Sequence, residues 1–308
     1  MSVSSQSLRA RLQRAHQPSF KLALPASITF VGVGTTGSGV VLSAFRKLRE
    51  ITEDRLPQNV RYLLIDADGD SRSPDSLAEQ THIRKLTLGK DGAGTALNNG
   101  FKLAQRGFTS IQKSITSCMG ELMNAIDTRY PATLPPSENQ AVIVVGGQGG
   151  TSGGATDLVV TAAHLASGAV GLTRLDVVHV NPGPEMAWRD VERSVDPERR
   201  QRIMANYAEV VGWRFQTMNT QLPISVLVPG RGRIRLAASS RVSSYVEFDW
   251  ASETTKLQTT AELTEMMAAS LLHRFFTAVG LRRASRECDD VVSGRTGQMH
   301  PLQSGVQV

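Results

Sequence analysis

The sequence predicts an α/β fold, a doubly wound and mostly parallel sheet ending in a long central helix. Three observations predict it. Short apolar runs alternate with helix-period segments along most of the chain, as in successive βαβ units. Two of those runs, SITFVGVG over 27–34 and AVIVVGG over 141–147, pass directly into glycine-rich turns that open helices. Leu263, Met266, Met267, Leu271, Phe275 and Val279 then recur at helical spacing within 259–283, the pattern of an amphipathic helix with one face in a core.

Composition bounds what such a chain can be. With 308 residues, 40% of them hydrophobic, it can fill a sizeable core, and disorder throughout is excluded. No apolar run approaches the roughly 18 uncharged residues that span a bilayer, and the first residues lack the compact apolar stretch of a secretory leader, so a soluble, cytoplasmic protein is expected. Cys118 and Cys288 have neither C-x-x-C spacing nor histidines nearby, and they read as reduced thiols rather than metal ligands. The net charge of +6 permits an anionic partner without requiring one.

Taken in order, residues 1–26 form a basic arm: Arg9, Arg11, Arg14 and Lys21 precede the first acidic residue, Glu50. The arm reads as a frayed segment able to touch a membrane surface, or as a transit peptide, although Leu8 and Leu12 alone make a weak amphipathic face. From 27 to 290 runs the α/β domain that carries the glycine turns. Its first strand enters a loop in which Gly32, Gly34 and Gly37 match G-x-G-x-x-G in full, followed by a helix to Glu50. VRYLLID over 60–66 is the second strand, and Asp66 at its end sits where a dinucleotide-binding protein keeps a ribose carboxylate. Residues 83–88 give a short third strand, then a turn at Gly89, Gly92 and Gly94. A helical pattern from Asn98 to Ile126 breaks near Gly107.

After a proline-bearing surface loop over 128–139 comes the second strand-to-glycine junction, whose helix runs to about Ser167. Leu175–Val180 is the next buried strand, and the turn that begins at Asn181 lies at its carboxyl end. A charged helix follows over 197–219; its basic start, Arg199, Arg200 and Arg202, has no aromatic residues interleaved, so it reads as a solvated face and nucleic acid is not an expected partner. Pro223–Val228 is another strand. Residues 230–257 alternate as a hairpin insertion would, and residues 291–308, rich in glycine and polar residues, form a loosely ordered tail.

If 83–88 is the third strand, the order 3-2-1-4-5-6 puts the first and fourth strands side by side, at the switch point where open α/β sheets bind ligands. Both glycine loops then face one anion. A nicotinamide needs only the first, so a second loop dense in backbone donors points to a triphosphate.

Across 27–290 the three loops, in this order, resemble those of the tubulin/FtsZ superfamily of GTPases: VGVGTTGSG, the strand ending near IDAD, the turn Gly92-Ala93-Gly94, and Gly149-Gly150-Thr151-Ser152-Gly153-Gly154, similar to the signature G-G-G-T-G-[ST]-G with its small residues permuted. The resemblance implies a site for GTP or GDP with Mg²⁺, contacted by Gly34, Thr35, Thr36, Gly37, Ser38, Asp66, Gly92, Ala93, Gly94, Thr95, Gly147, Gly149, Gly150, Thr151, Ser152 and Gly153, with Asn181 near the ribose. The 259–283 helix would be the family's central helix, with Glu262 or Glu265 able to accept from the guanine N1–H and N2–H. The strand ending Val228-Pro229-Gly230 would correspond to the one whose end holds the base.

Where the family places two base-contacting asparagines, this chain has Gly39 and Gly230. Ser285, Glu287 and Asp290 reproduce the spacing of the family's N-x-D-x-x-D loop, in which case Glu287 and Asp290 act in trans by orienting a water. With 18 residues after Asp290, a member lacking the family's usual C-terminal domain is the expectation. The expected function is guanine-nucleotide binding in a nucleotide-dependent assembly or scaffold protein, self-associating or part of a multi-protein assembly, with weak or partner-dependent GTP hydrolysis. The alternative from the residues themselves is a Rossmann-type NAD-dependent or adenylating enzyme, with Asp66 on the ribose and the 146–154 loop left without a task.

Overall fold

The computed structural model describes residues 27–67, 81–89, 92–94, 96–122, 139–146, 149–170, 172–181, 195–218, 224–236, 244–249, 251–252, 255–256 and 260–276. Six strands build the main sheet: β1 (Ser27–Val33), β2 (Val60–Asp66), β3 (Ile83–Thr87), β4 (Asn139–Gly146), β5 (Leu172–Asn181) and, later in the chain, β8 (Ser244–Asp249). Their order is β3-β2-β1-β4-β5-β8 and every pairing is parallel. The α/β, doubly wound, parallel architecture expected from the alternation is thus the observed one.

β1 is buried along its whole length, as a parallel strand covered on both faces must be. Side chains alternate between two layers. Ile28 and Phe30 of β1, Tyr62 and Leu64 of β2, Val142 and Val144 of β4, and Val178 and Val180 of β5 pack with helices α1 (Gly34–Ile51) and α6 (Thr260–Phe276). Val31, Val33, Leu63, Ile65, Ile143, Val145 and Val177 point the other way, to α3 (Phe108–Leu122), α4 (Gly150–Val170) and Ala104 of α2 (Leu97–Arg106). In the first layer Phe30 stacks on Tyr62 at 5.6 Å and meets both Phe275 and Phe276 of α6 at 5.9 Å. Each fully buried phenylalanine contributes about 1.5–3 kcal/mol, so α6 is a structural member of the sheet's cover.

The helical stretch after the third glycine turn divides at Gly107, as its sequence suggests, into α2 and α3; the Gly107 N–H closes α2 on the Leu103 carbonyl at 2.9 Å. α5 (Pro197–Met218) opens with proline at its first position and with Asp196 accepting from the Glu198 N–H at 3.0 Å. The last helix begins where its periodicity does and is described as far as Phe276.

One expectation is overturned. The strand ending Val228-Pro229-Gly230 does not enter the main sheet. Instead β6 (Ile224–Val228) pairs antiparallel with β7 (Gly232–Leu236) as a separate ribbon, and β8 takes the sixth place beside β5. The reason lies in the pattern. Ser225 and Leu227 are exposed while Val226 and Val228 are buried, and Arg233 and Arg235 are exposed around the half-buried Ile234. Such two-residue alternation suits a ribbon with one wet face, not a strand covered on both sides. The turn is tight, with φ of +71° at Gly230 and +74° at Gly232. Two very short antiparallel strands, β9 (Ala251–Ser252) and β10 (Thr255–Lys256), precede α6.

Candidate functional site: three glycine turns at the switch point

β1 and β4 lie side by side, in register through Val33 and Val145, so the two strand-to-helix junctions emerge next to one another. α1 starts at Gly34 and α4 at Gly150. Gly34 has φ +69°, and a Cβ added there would lie 3.0 Å from the Cβ of Ser152: the first loop touches the second. A Cβ on Gly37 would lie 2.2 Å from the Val144 carbonyl oxygen, so the first turn of α1 rests on the backbone of β4. The third turn joins them. The Gly150 N–H donates to the Gly94 carbonyl at 2.8 Å, and a Cβ on Gly150 would lie 2.9 Å from the carbonyl oxygen of Ala93.

Hydroxyl groups close these turns. Ser38 donates to the Gly32 carbonyl at 3.3 Å; Ser152 donates to the Gly146 carbonyl, again six residues earlier, and to that of Gly149 at 3.1 Å. The two loops thus share one stitch, serine to the glycine that precedes it by six. Thr36 packs over Gly146, where a Cβ would fall 2.6 Å from that of Thr36. Thr35 is exposed and donates to Oδ2 of Asp66 at 3.4 Å. Asp66 is itself buried, its Oδ1 accepting from the Ala67 N–H at 2.7 Å. The carboxylate therefore ties β2 to the first loop.

At the start of α1 the N-cap is Val33, which supplies no side-chain hydrogen bond, and neither α1 nor α4 has an acidic residue in its first turn. The first N–H groups of α1 are left without a side-chain acceptor from the cap, at the positive end of the helix dipole, which is what an anion requires. No group of three His, Cys, Asp or Glu able to hold a metal occurs among the described residues.

Of the expected site residues, Gly34, Thr35, Thr36, Gly37, Ser38, Gly92, Ala93, Gly94, Gly149, Gly150, Thr151, Ser152 and Gly153 belong to this cluster of turns. Thr95, Gly147, the Asn181 side chain, Glu287 and Asp290 lie outside the described residues. Glu262 stands in the first turn of α6 and is half-buried. Glu265, one turn on, has its carboxylate between two α1 side chains: Ser43 donates to it at 2.6 Å and the Lys47 ammonium lies 2.5 Å away. Sequence reasoning missed these partners, although Ser43 and Lys47 stand four residues apart and so share a helix face.

No family model and no curated protein matches the sequence. Solved structures do. CetZ2 from Haloferax volcanii, in a GTPγS-bound protofilament, is 11% identical, with 84% of this chain and 58% of that one covered and a TM-score of 0.46. An empty FtsZ dimer from M. jannaschii is 14% identical over 89% of this chain and 60% of that one, TM-score 0.42. TubZ of Clostridium botulinum phage c-st is 12% identical over 83% and 64%, TM-score 0.44. This chain thus spans about three-fifths of the length of the proteins it matches.

Proposed function

We propose that the chain binds a guanine nucleotide, GTP or GDP, with the phosphates held by the loops at 34–39, 92–95 and 149–154. The observation that carries this reading is the convergence of the three turns: Gly34 against Ser152 and the Gly150 N–H on Gly94 bring two helix N-termini and a third backbone turn to one place. A single dinucleotide loop would leave the second and third without a ligand. Because the serine hydroxyls are used in closing the loops, backbone N–H groups would be the main donors to the phosphates. Mg²⁺ accompanying a triphosphate is held chiefly by phosphate oxygens and water and asks for few protein ligands.

In this reading Asn181 approaches the ribose, Glu262 and Glu265 are the acceptors nearest the base, and the Ser43 and Lys47 contacts orient Glu265. Glu287 and Asp290 act in trans, orienting a water for hydrolysis that is weak or needs a partner, in a self-associating or multi-protein assembly. The NAD-dependent or adenylating alternative relies on a carboxylate open to the ribose. Asp66 counts against it, being 3% exposed and engaged by Ala67 and Thr35.

The test is to identify the nucleotide that co-purifies and to measure thermal shifts with GTP, GDP, ATP and NAD. Guanine nucleotide at 100 times its dissociation constant should add about 2.7 kcal/mol to stability. No retained guanine nucleotide and no shift with GTP or GDP would reject the reading. Single-turnover hydrolysis that rises with protein concentration and vanishes in Glu287→Ala and Asp290→Ala would support the trans role; hydrolysis indifferent to both would remove it.

A further inference from the structure

The ribbon of β6 and β7 carries a surface that the nucleotide reading leaves unused. One of its faces is inside: Val226 and Val228 belong to the core beneath α4, and Ile234 packs on it. The other holds Ser225, Leu227, Arg233 and Arg235, all exposed, with Leu227 opposite Arg233 and Ser225 opposite Arg235 across the ladder. Arg231 adds a further charge at the turn, and no acidic residue occurs in the sequence between Glu209 and Glu247. Beside the turn, an open cavity of about 470 Å³ runs between Leu227, Val228 and Pro229 and the end of α2, where Arg106 stands at its rim. Among the described residues no carboxylate pairs with Arg106, Arg231, Arg233 or Arg235.

We propose that this face docks an acidic segment of a partner protein, bound in extended conformation with an apolar side chain in the cavity. Three features point to that occupant. Arg233 and Arg235, two residues apart on one strand, are spaced at about 7 Å, the repeat of alternate side chains on an extended peptide, so carboxylates at alternate positions can each meet a guanidinium as a bidentate pair. The ribbon has only two strands among the described residues, so its outer edges can add another strand. Leu227, 55% exposed, with the exposed Pro229 beside it, offers the apolar contact that a purely electrostatic site would lack. Nucleic acid fits less well, because residues 224–236 hold no aromatic side chain on which a base could stack. A bilayer fits less well too, since one exposed leucine gives almost no apolar depth for insertion.

Fluorescence anisotropy tests this with a fluorescein-labelled peptide alternating aspartate with leucine and valine, against a peptide with lysine for each aspartate, an oligo-dT strand and phosphatidylserine vesicles. The aspartate peptide should bind and the lysine peptide should not. Arg233→Glu with Arg235→Glu should weaken binding by about tenfold or more and Leu227→Ser by about threefold, the first loss being largest at low salt. Arg233→Gln with Arg235→Gln is read if the charge reversal lowers the melting temperature, and nucleotide retention should be the same in every variant. The proposal is overturned if the aspartate peptide fails to bind, if binding ignores these variants, or if oligo-dT or the vesicles bind as tightly and are lost with the same arginines.

Discussion

Gly37 sets how closely α1 approaches β4. A methyl group there would meet the Val144 carbonyl at 2.2 Å, closer than any real Cβ contact, so the helix must lift off the strand. Gly37→Ala should therefore cost about 1–3 kcal/mol and weaken nucleotide retention, because lifting the helix opens the cradle. Gly120, in α3 with nothing within 4 Å of an added Cβ, is the control. Gly120→Ala should raise stability by about 0.5–1 kcal/mol and leave retention unchanged, both read from urea midpoints and the co-purified nucleotide.

His82 gives a pH dependence at the same scale. Burial beside the Phe45 ring and the charge of Arg61 lower its pKa below the usual 6.5, against a backbone hydrogen bond with Val60 that raises it. The unfolded chain then binds a proton more readily, so this contribution is full above pH 6.5 and is lost as pH falls below it. Unfolding midpoints at pH 7 and 5.5 should differ more in the wild type than in His82→Gln. Some residues announced these roles and others did not. The glycines of the first loop were legible because a strand, a G-x-G-x-x-G and a helix constrain one another. The direction of Asp66 was not: an acid closing a strand reads the same whether it faces a ribose or, as here, its own backbone and Thr35.

Among the elements, the helices were the most legible, including the break at Gly107, since a 3.6-residue period over ten or more positions is hard to mimic. β6 and β8 were not separable in advance. A five- or six-residue apolar run carries too few positions to say whether one face or two will be covered, and the choice of partner is made far away in sequence. The contact of α1 with α6 through Ser43, Lys47 and Glu265 is an element-scale feature with its own test. Lys47 is 12% exposed and Glu265 46%, so solvent screens the pair. A double-mutant cycle of Lys47→Met and Glu265→Gln should yield a coupling of about 0.5–1 kcal/mol in stability. If Glu265 also meets the base, Glu265→Gln should weaken GTP more than ATP, whereas a purely structural pair predicts equal effects.

Over the whole molecule, two layers of helices cover one parallel sheet, and protection should follow position in it. β1 lies between β2 and β4 and is buried throughout, whereas β8 has, among the described residues, β5 as its single strand neighbour. Amides of 244–249 should exchange with solvent well before those of 28–33, a difference that hydrogen-exchange mass spectrometry resolves; equal protection would mean the sheet opens only as a unit. The same arrangement bears on how the protein is made. β5 leaves synthesis by residue 181, but the strand that covers its edge begins at residue 244, after α5 and the ribbon have been translated. Through that interval the growing chain already holds all three glycine turns, with the strand carrying Val177, Val178 and Val180 at an uncapped sheet edge. That interval is when a nascent chain is most exposed to pairing with another copy of itself, and when a chaperone would be most useful to it.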